Sequence, residues 1–313
     1  MFNYNLNLLI YLLMNIIMIL LSVAFVTLLE RKILGYIQIR KGPNKISFLG
    51  ILQPFSDAIK LFSNENLFIL KSNYYLYYMS PMLMLLIMLM MWMIIPNIFN
   101  IFSFNLSIMF MLCLMNLSVY TTMMSGWSSN SLYSFLGCIR SIAQTISYEV
   151  SMILILMLVM LLTESLTFFN FMNYQKFCWF IFLMPLMAYI FFINLLAEMN
   201  RTPFDLSEGE SELVSGFNIE YMSGSFAFIF LTEYGMIIFM MYMYNMMFLS
   251  SNNFYMTFFF KLSILIILII WIRGSFPRIR YDKLMNLIWK KFLPISLNFM
   301  FIIVSMKMFV YLT

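Results

Sequence analysis

The chain is expected to be an all-α integral membrane protein: eight transmembrane helices, a short interfacial amphipathic helix, and no soluble domain. Three observations predict this. Of the 313 residues, 63% are hydrophobic and only 10% are charged, against roughly 45–50% and about 25% in soluble globular proteins. The apolar residues gather into stretches long enough to cross a bilayer. The basic residues gather between alternate pairs of those stretches. So few charges cannot cover a water-facing surface, and a mean hydropathy of +0.91 is too high for a disordered chain, which excludes a water-soluble enzyme.

The elements follow in order. No secretory or transit peptide is read at the start, because the first apolar run continues from Leu6 to Leu29 with no small-residue cleavage site. A helix rises about 1.5 Å per residue, so about 20 apolar residues cross a membrane. Eight stretches meet that length: Leu6–Leu29, Tyr74–Ile95, Phe104–Met124, Ile142–Leu162, Phe177–Ala197, Ile219–Leu249, Phe254–Trp271 and Phe292–Val310. None shows the alternation of a barrel strand, so their backbone groups are satisfied within helices. Between the first two, Ile51, Phe55, Ala58, Ile59 and Phe62 recur at helical spacing, and Pro54 suits a first turn. That segment, 51–62, is too short to span and is expected to lie flat at the surface. The chain thus reads as a single membrane domain, 1–313, with a basic connector at 30–73 and an acidic connector at 198–218.

Charge placement supports the count. Arg31, Lys32, Arg40, Lys41, Lys45, Lys60, Lys71, Arg140, Arg201, Arg273, Arg278, Arg280, Lys283, Lys290 and Lys291 all fall on one side if the spans alternate. Only Lys176, Lys261 and Lys307 fall on the other. Such a bias is the signature of a multi-pass protein, and it places both termini on the poor side. It also explains the basic excess without a nucleic-acid partner.

The small counts exclude chemistry. There is no histidine, so no imidazole serves as haem ligand, base or zinc ligand. Cys113, Cys138 and Cys178 stand singly, far from any cluster spacing. No metal, haem, flavin or iron–sulfur cluster is expected on this chain, and a redox centre has to belong to a partner. The 34 methionines and 35 phenylalanines read as hydrocarbon filling under a codon bias of the organellar kind.

The acids are distributed unevenly. Seven of the 13 lie between Glu198 and Glu233: Glu198, Asp205, Glu208, Glu210, Glu212, Glu220 and Glu233. Arg201 is the single base among them. Glu149 lies inside the fourth span and Glu233 inside the sixth. Carboxyls near hydrocarbon are costly, so each is a functional candidate. Like charges in low dielectric cannot all ionise; they titrate as a coupled set along which protons can hop. A structural reading stands beside this one. Thr202-Pro203-Phe204-Asp205 and Ser207-Glu208-Gly209-Glu210 match the capping-box pattern, and Glu149 has the alternative of pairing with a partner's cation. Likewise Glu30-Arg31-Lys32 reads either as an interfacial anchor or, with the 51–62 helix, as the mouth of a path for an amphipathic, lipid-like substrate.

Several blocks then become recognisable. They are LLERKILGY (28–36), RKGPN (40–44), QPFSDAIKLF (53–62), SGWSSN (125–130), RSIAQTISYE (140–149), LAEMNRTPFDLSEGESELVSGFNIEY (196–221), WIR (271–273) and PRIRYD (277–282). In order along almost the whole chain, they resemble the membrane subunit 1 family of respiratory NADH–ubiquinone oxidoreductase, complex I, of the mitochondrially encoded type. The resemblance implies a core subunit that joins the membrane arm to the hydrophilic arm. It implies that the subunit forms the membrane side of the ubiquinone tunnel. Glu149, Glu198, Asp205, Glu208, Glu210, Glu212 and Glu233 match the family's acidic path for proton relay or coupling, with Glu220 less clear in role. Arg31, Arg40, Ala58, Phe62, Phe217 and Phe230 match positions at the quinone tunnel or its mouth. Arg201 and Arg280 match positions that balance the acids or hold loops. Implied partners are the hydrophilic-arm subunits holding the quinone site and terminal iron–sulfur cluster, neighbouring membrane-arm subunits, and the lipid bilayer. The implied location is the mitochondrial inner membrane, with basic connectors in the matrix and both termini in the intermembrane space. Met199 departs from the family's usual threonine and removes a hydroxyl beside Glu198. Two other readings remain: a stand-alone ion antiporter, and a purely structural anchor for a hydrophilic partner.

Overall fold

The computed structural model describes residues 2–66, 69–96, 104–207, 209, 216–250 and 256–312. Its regular elements are helices: α1 (Phe2–Ile37), α2 (Gln53–Ser63), α3 (Tyr74–Trp92), α4 (Ser107–Ser128), α5 (Leu132–Thr163), α6 (Phe168–Tyr174), α7 (Phe180–Leu183), α8 (Pro185–Glu198), α9 (Ser223–Tyr244), α10 (Met256–Ser275), α11 (Tyr281–Leu287) and α12 (Leu293–Leu312). Among the described residues there is no strand.

Seven of the eight expected spans are helices long and apolar enough to cross a membrane. The fifth is broken. Pro185 has no N–H, and the chain turns out of helical geometry at Met184 (φ −136°, ψ 62°), leaving the 14-residue α8 behind a single turn of α7. Fourteen residues rise only about 21 Å, so α8 ends inside the bundle rather than beyond it. That puts its last residue, Glu198, in the protein interior.

Other helices run past their apolar cores. α1 continues eight residues beyond Leu29 and so carries Glu30, Arg31 and Lys32. α5 begins ten residues before Ile142 and includes Arg140. The last span is preceded by α11 and a wider π turn, Ile288–Phe292, just before Pro294. Hydropathy stops at the first charge, whereas the backbone ladder continues wherever the charge has a partner or reaches the interface. The amphipathic helix found at Gln53–Ser63 packs on α1 and α9.

Helix packing follows the small residues. α3 packs on α4, α4 on α5, α5 on α8, and α9 packs against α1, α2, α3 and α10. A Cβ on Gly126 would come within 2.3 Å of the Cys138 Cβ, so α4 and α5 touch only because that position is glycine. On Gly137 it would meet the Gly216 Cα at 2.9 Å, which holds the acidic connector against α5. The basic connectors meet at one end of the bundle. Ile279 N–H donates to the Pro203 carbonyl at 2.9 Å, and the Asn130 amide donates to the Lys71 carbonyl at 3.1 Å. At the other end Lys307 reaches Glu164 at 2.6 Å, and Lys261 stacks over Trp179 at 3.9 Å.

Candidate functional site

Where α8 ends, its following connector meets α1, α9 and the end of α10 with the connector after it, around a group of charges. Glu30, on the extended end of α1, is buried and ion-pairs with Arg273 at the end of α10. Arg201 lies between two acids, with Nη1 at 3.8 Å from Glu30 and Nη2 at 4.0 Å from Glu233. Its guanidinium sits 4.7 Å from the centre of the Tyr234 ring. The Asn218 amide donates to Glu233 at 3.5 Å. Asp205 is buried and pairs with Arg278 at 3.1 Å. It is close enough to Glu233 for the two carboxyls to repel.

A second group includes Glu149 on α5 and Glu198 at the end of α8. Glu149 is buried, and with its nitrogen turned toward the acid Asn116 donates to both carboxyl oxygens, at 2.6 and 3.1 Å. Glu149 and the buried Glu198 are near enough for mutual repulsion. Met199 is buried beside Glu198, whose Oε2 has no hydrogen-bond partner among the described residues.

The two groups share a cavity. A space of about 110 Å³ is lined by Glu198, Arg201 and Glu233 together with Ser141, Thr145 and Phe217. Asn200 Oδ1 and Ser207 Oγ also border it, buried and without a hydrogen-bond partner among the described residues. A water needs about 10–15 Å³ of such space and two or more polar partners. The cavity therefore has the volume and the polar lining for several bridging waters between Glu198 and Glu233.

The expected residues divide as follows. Glu198 and Glu233 line this cavity, while Glu149 stands near Glu198 and Asp205 near Glu233, neither of them in the cavity wall. Glu208, Glu210 and Glu212 lie outside the described residues. The Thr202–Asp205 segment is a turn rather than a helix start, and Asp205 bonds Arg278 instead of a cap. Arg201 balances two acids, while Arg280 pairs with exposed Asp282 at 3.0 Å. The quinone-tunnel set is dispersed. Arg31 pairs with Asp57 of α2 and borders, with Arg40, an open groove of about 600 Å³. Ala58 and Phe62 sit on the exposed face of α2, the Phe62 ring 5.9 Å from that of Phe228. Phe217 lines the internal cavity, and Phe230 packs on Phe226 with ring centres 4.4 Å apart.

Sequence reasoning missed Glu30 as a buried partner, and missed Asn116 and Tyr234. Glu30 was legible as an acid at a helix end with Arg273 at another. Nothing in the one-dimensional pattern joined the two.

Comparison with known proteins shows the family. The family model described as NADH dehydrogenase matches residues 10–304. NADH-ubiquinone oxidoreductase chain 1 of Aedes aegypti is 54% identical over 299 residues, 95% of each chain. The proteins of the same name from Locusta migratoria and Notoryctes typhlops are 53% identical over 94% of each chain and 48% identical over 97% of each chain. The chain belongs to the NADH dehydrogenase family and is a membrane subunit of NADH–ubiquinone oxidoreductase.

Proposed function

We propose that the chain forms the membrane side of the ubiquinone tunnel and that its buried acids couple quinone reduction to proton translocation. Electrons arrive from a partner's iron–sulfur cluster. Reduction of a quinone to a quinol takes up protons and changes the local charge. The observation that carries the reading is the single cavity bordered by both Glu198 and Glu233, with Arg201 held between Glu30 and Glu233. A charge change near Arg201 alters which acid it neutralises. The acids then exchange protons through bridging water, and Glu149 extends the path along α5. The exposed Ala58/Phe62 face and the Arg31–Arg40 groove form the mouth through which the quinone enters. The basic end of the bundle faces the mitochondrial matrix and docks the hydrophilic arm.

The test is Glu233→Gln and Glu149→Gln in the assembled complex. Ubiquinone reductase activity is expected to fall about 100-fold or more, the scale of a lost proton-transfer group, while NADH oxidation by a soluble acceptor is unchanged. Full turnover and full pumping in both variants would favour the structural anchor. Ion flux from the purified chain alone in liposomes would favour the antiporter.

A further inference from the structure

Gln144 is fully buried on α5, five residues before Glu149. Its Nε2 donates two hydrogen bonds of 2.8 Å each, to the carbonyls of Ala197 and Phe204. Ala197 immediately precedes Glu198, and Phe204 immediately precedes Asp205. A primary amide carries its two N–H donors in one plane, so one rigid group holds the two peptides that present these acids at a set separation. The loop between them carries Arg201 and turns through Asn200 at φ 50°. We infer that Gln144 is a positioning residue for the acid set: from the helix that carries Glu149, it sets the spacing of Glu198 and Asp205.

Capping alone does not explain the arrangement. The carbonyls at the end of α8 need partners, and Ala197 already accepts from Asn200 N–H at 3.1 Å. The bond to Phe204 lies beyond the helix and satisfies no helical carbonyl. What the pair of bonds does is tie the loop at both ends to α5. Proton transfer needs heavy atoms within about 2.6–3.2 Å, directly or through one water, and a misplacement of about 1 Å can cost about 100-fold in rate. A fixed loop therefore matters to a relay more than to a scaffold.

The inference rests on the relay reading above, and the experiment separates the two. In the assembled complex, Gln144→Met keeps the length of the side chain and removes both donors. NADH oxidation by a soluble acceptor is expected to be unchanged. The kcat for ubiquinone is expected to fall about tenfold or more with KM within about twofold. Combining Gln144→Met with Glu198→Gln is expected to cost nothing beyond Glu198→Gln alone, because both act through one group. Losses that multiply, or wild-type kcat and proton stoichiometry in the single variant, would overturn the inference. If Gln144→Met does not assemble, Gln144→Asn, which withdraws the amide by one methylene, is read in the same way. Wild-type turnover in Glu198→Gln removes the relay reading and leaves Gln144 to a density map of its own variant. Displacement of the Glu198 and Asp205 carboxyls by about 1 Å or more supports positioning; an unmoved loop refutes it.

Discussion

Two neighbouring helices, α5 and α12, pack against each other yet differ in how much of each the protein covers. Both lie in stretches long and apolar enough to span, but 61% of an apolar 18-residue window of α5 is buried in protein against 6% for such a window in the Tyr281–Tyr311 stretch that contains α12. The difference is written in small and polar residues. On α5, Ser134, Gly137, Ser141, Gln144, Tyr148 and Ser151 recur at three- and four-residue spacing, and all are buried. On α12 the exposed positions include Phe301, Met306, Phe309 and Val310. Lipid tails are as apolar as leucine, so apolarity cannot draw one span against another. Close backbone approach and interhelical hydrogen bonds do. Hydrophobicity specifies that a helix crosses; small and polar residues specify what it faces.

The strongest way to break this contrast is to fill the α5 seam. In Gly137→Val the new side chain starts 2.9 Å from the Gly216 Cα and 3.0 Å from the Ser207 carbonyl oxygen, both backbone atoms. Overpacking of this kind costs about 1–3 kcal/mol, and the amount of assembled complex on a native gel should fall sharply. Ser305→Val on the exposed face of α12 should leave that amount unchanged. Equal yields of the two variants would remove the distinction.

A smaller effect is expected from Glu30→Gln. Glu30 is buried between Arg273 and Arg201, whereas the Arg31–Asp57 pair next to it keeps 51% and 33% of its side chains exposed. Breaking a fully buried pair costs about 3 kcal/mol or more and an exposed one about 0–1 kcal/mol; with 32% of the Arg273 side chain exposed, the Glu30 pair falls between them, at about 1 kcal/mol. Thermal inactivation of the complex should therefore move to lower temperature in Glu30→Gln and scarcely move in Asp57→Asn. Salt should affect only the Asp57 pair.

The smallest effect concerns the clasp where α5 meets α12. Glu164, in the connector after α5, is solvent-exposed, and the hydrogen bond from Lys307, with that from Tyr311, holds its carboxyl below the usual carboxylate range. A carboxyl with a depressed folded-state pKa contributes stability above its unfolded value, about 4.3, and loses it as pH falls through the lower value. Glu164→Gln should leave thermal stability unchanged within error at acid pH and lower it only marginally at neutral pH. A large loss that persists at acid pH would mean the site acts by packing rather than charge.

Much of the fold was legible because a bilayer demands long apolar helices, and the chain has nothing else to offer. The acids were legible too, since Glu149 and Glu233 interrupt otherwise apolar runs. The quinone set was not resolved into one place. Arg31 and Arg40 share a connector groove, while Phe217 faces the internal cavity. Contacts that join distant segments, such as Glu30 to Arg273 or Gln144 to Phe204, leave no periodic trace in either segment. The break at Pro185 was visible as a proline but not as a shortened span.

By itself, the sequence determined a helical membrane protein with its basic connectors at one end and its carboxyls concentrated in one stretch, because transfer of charge and backbone into hydrocarbon is too costly for other solutions. Only the tertiary structure decided which of those carboxyls meet, that one arginine stands between Glu30 and Glu233, and that a single amide on α5 grips the peptides before two acids. Hydropathy acts on each helix separately, whereas a shared cavity depends on where several helices end in space.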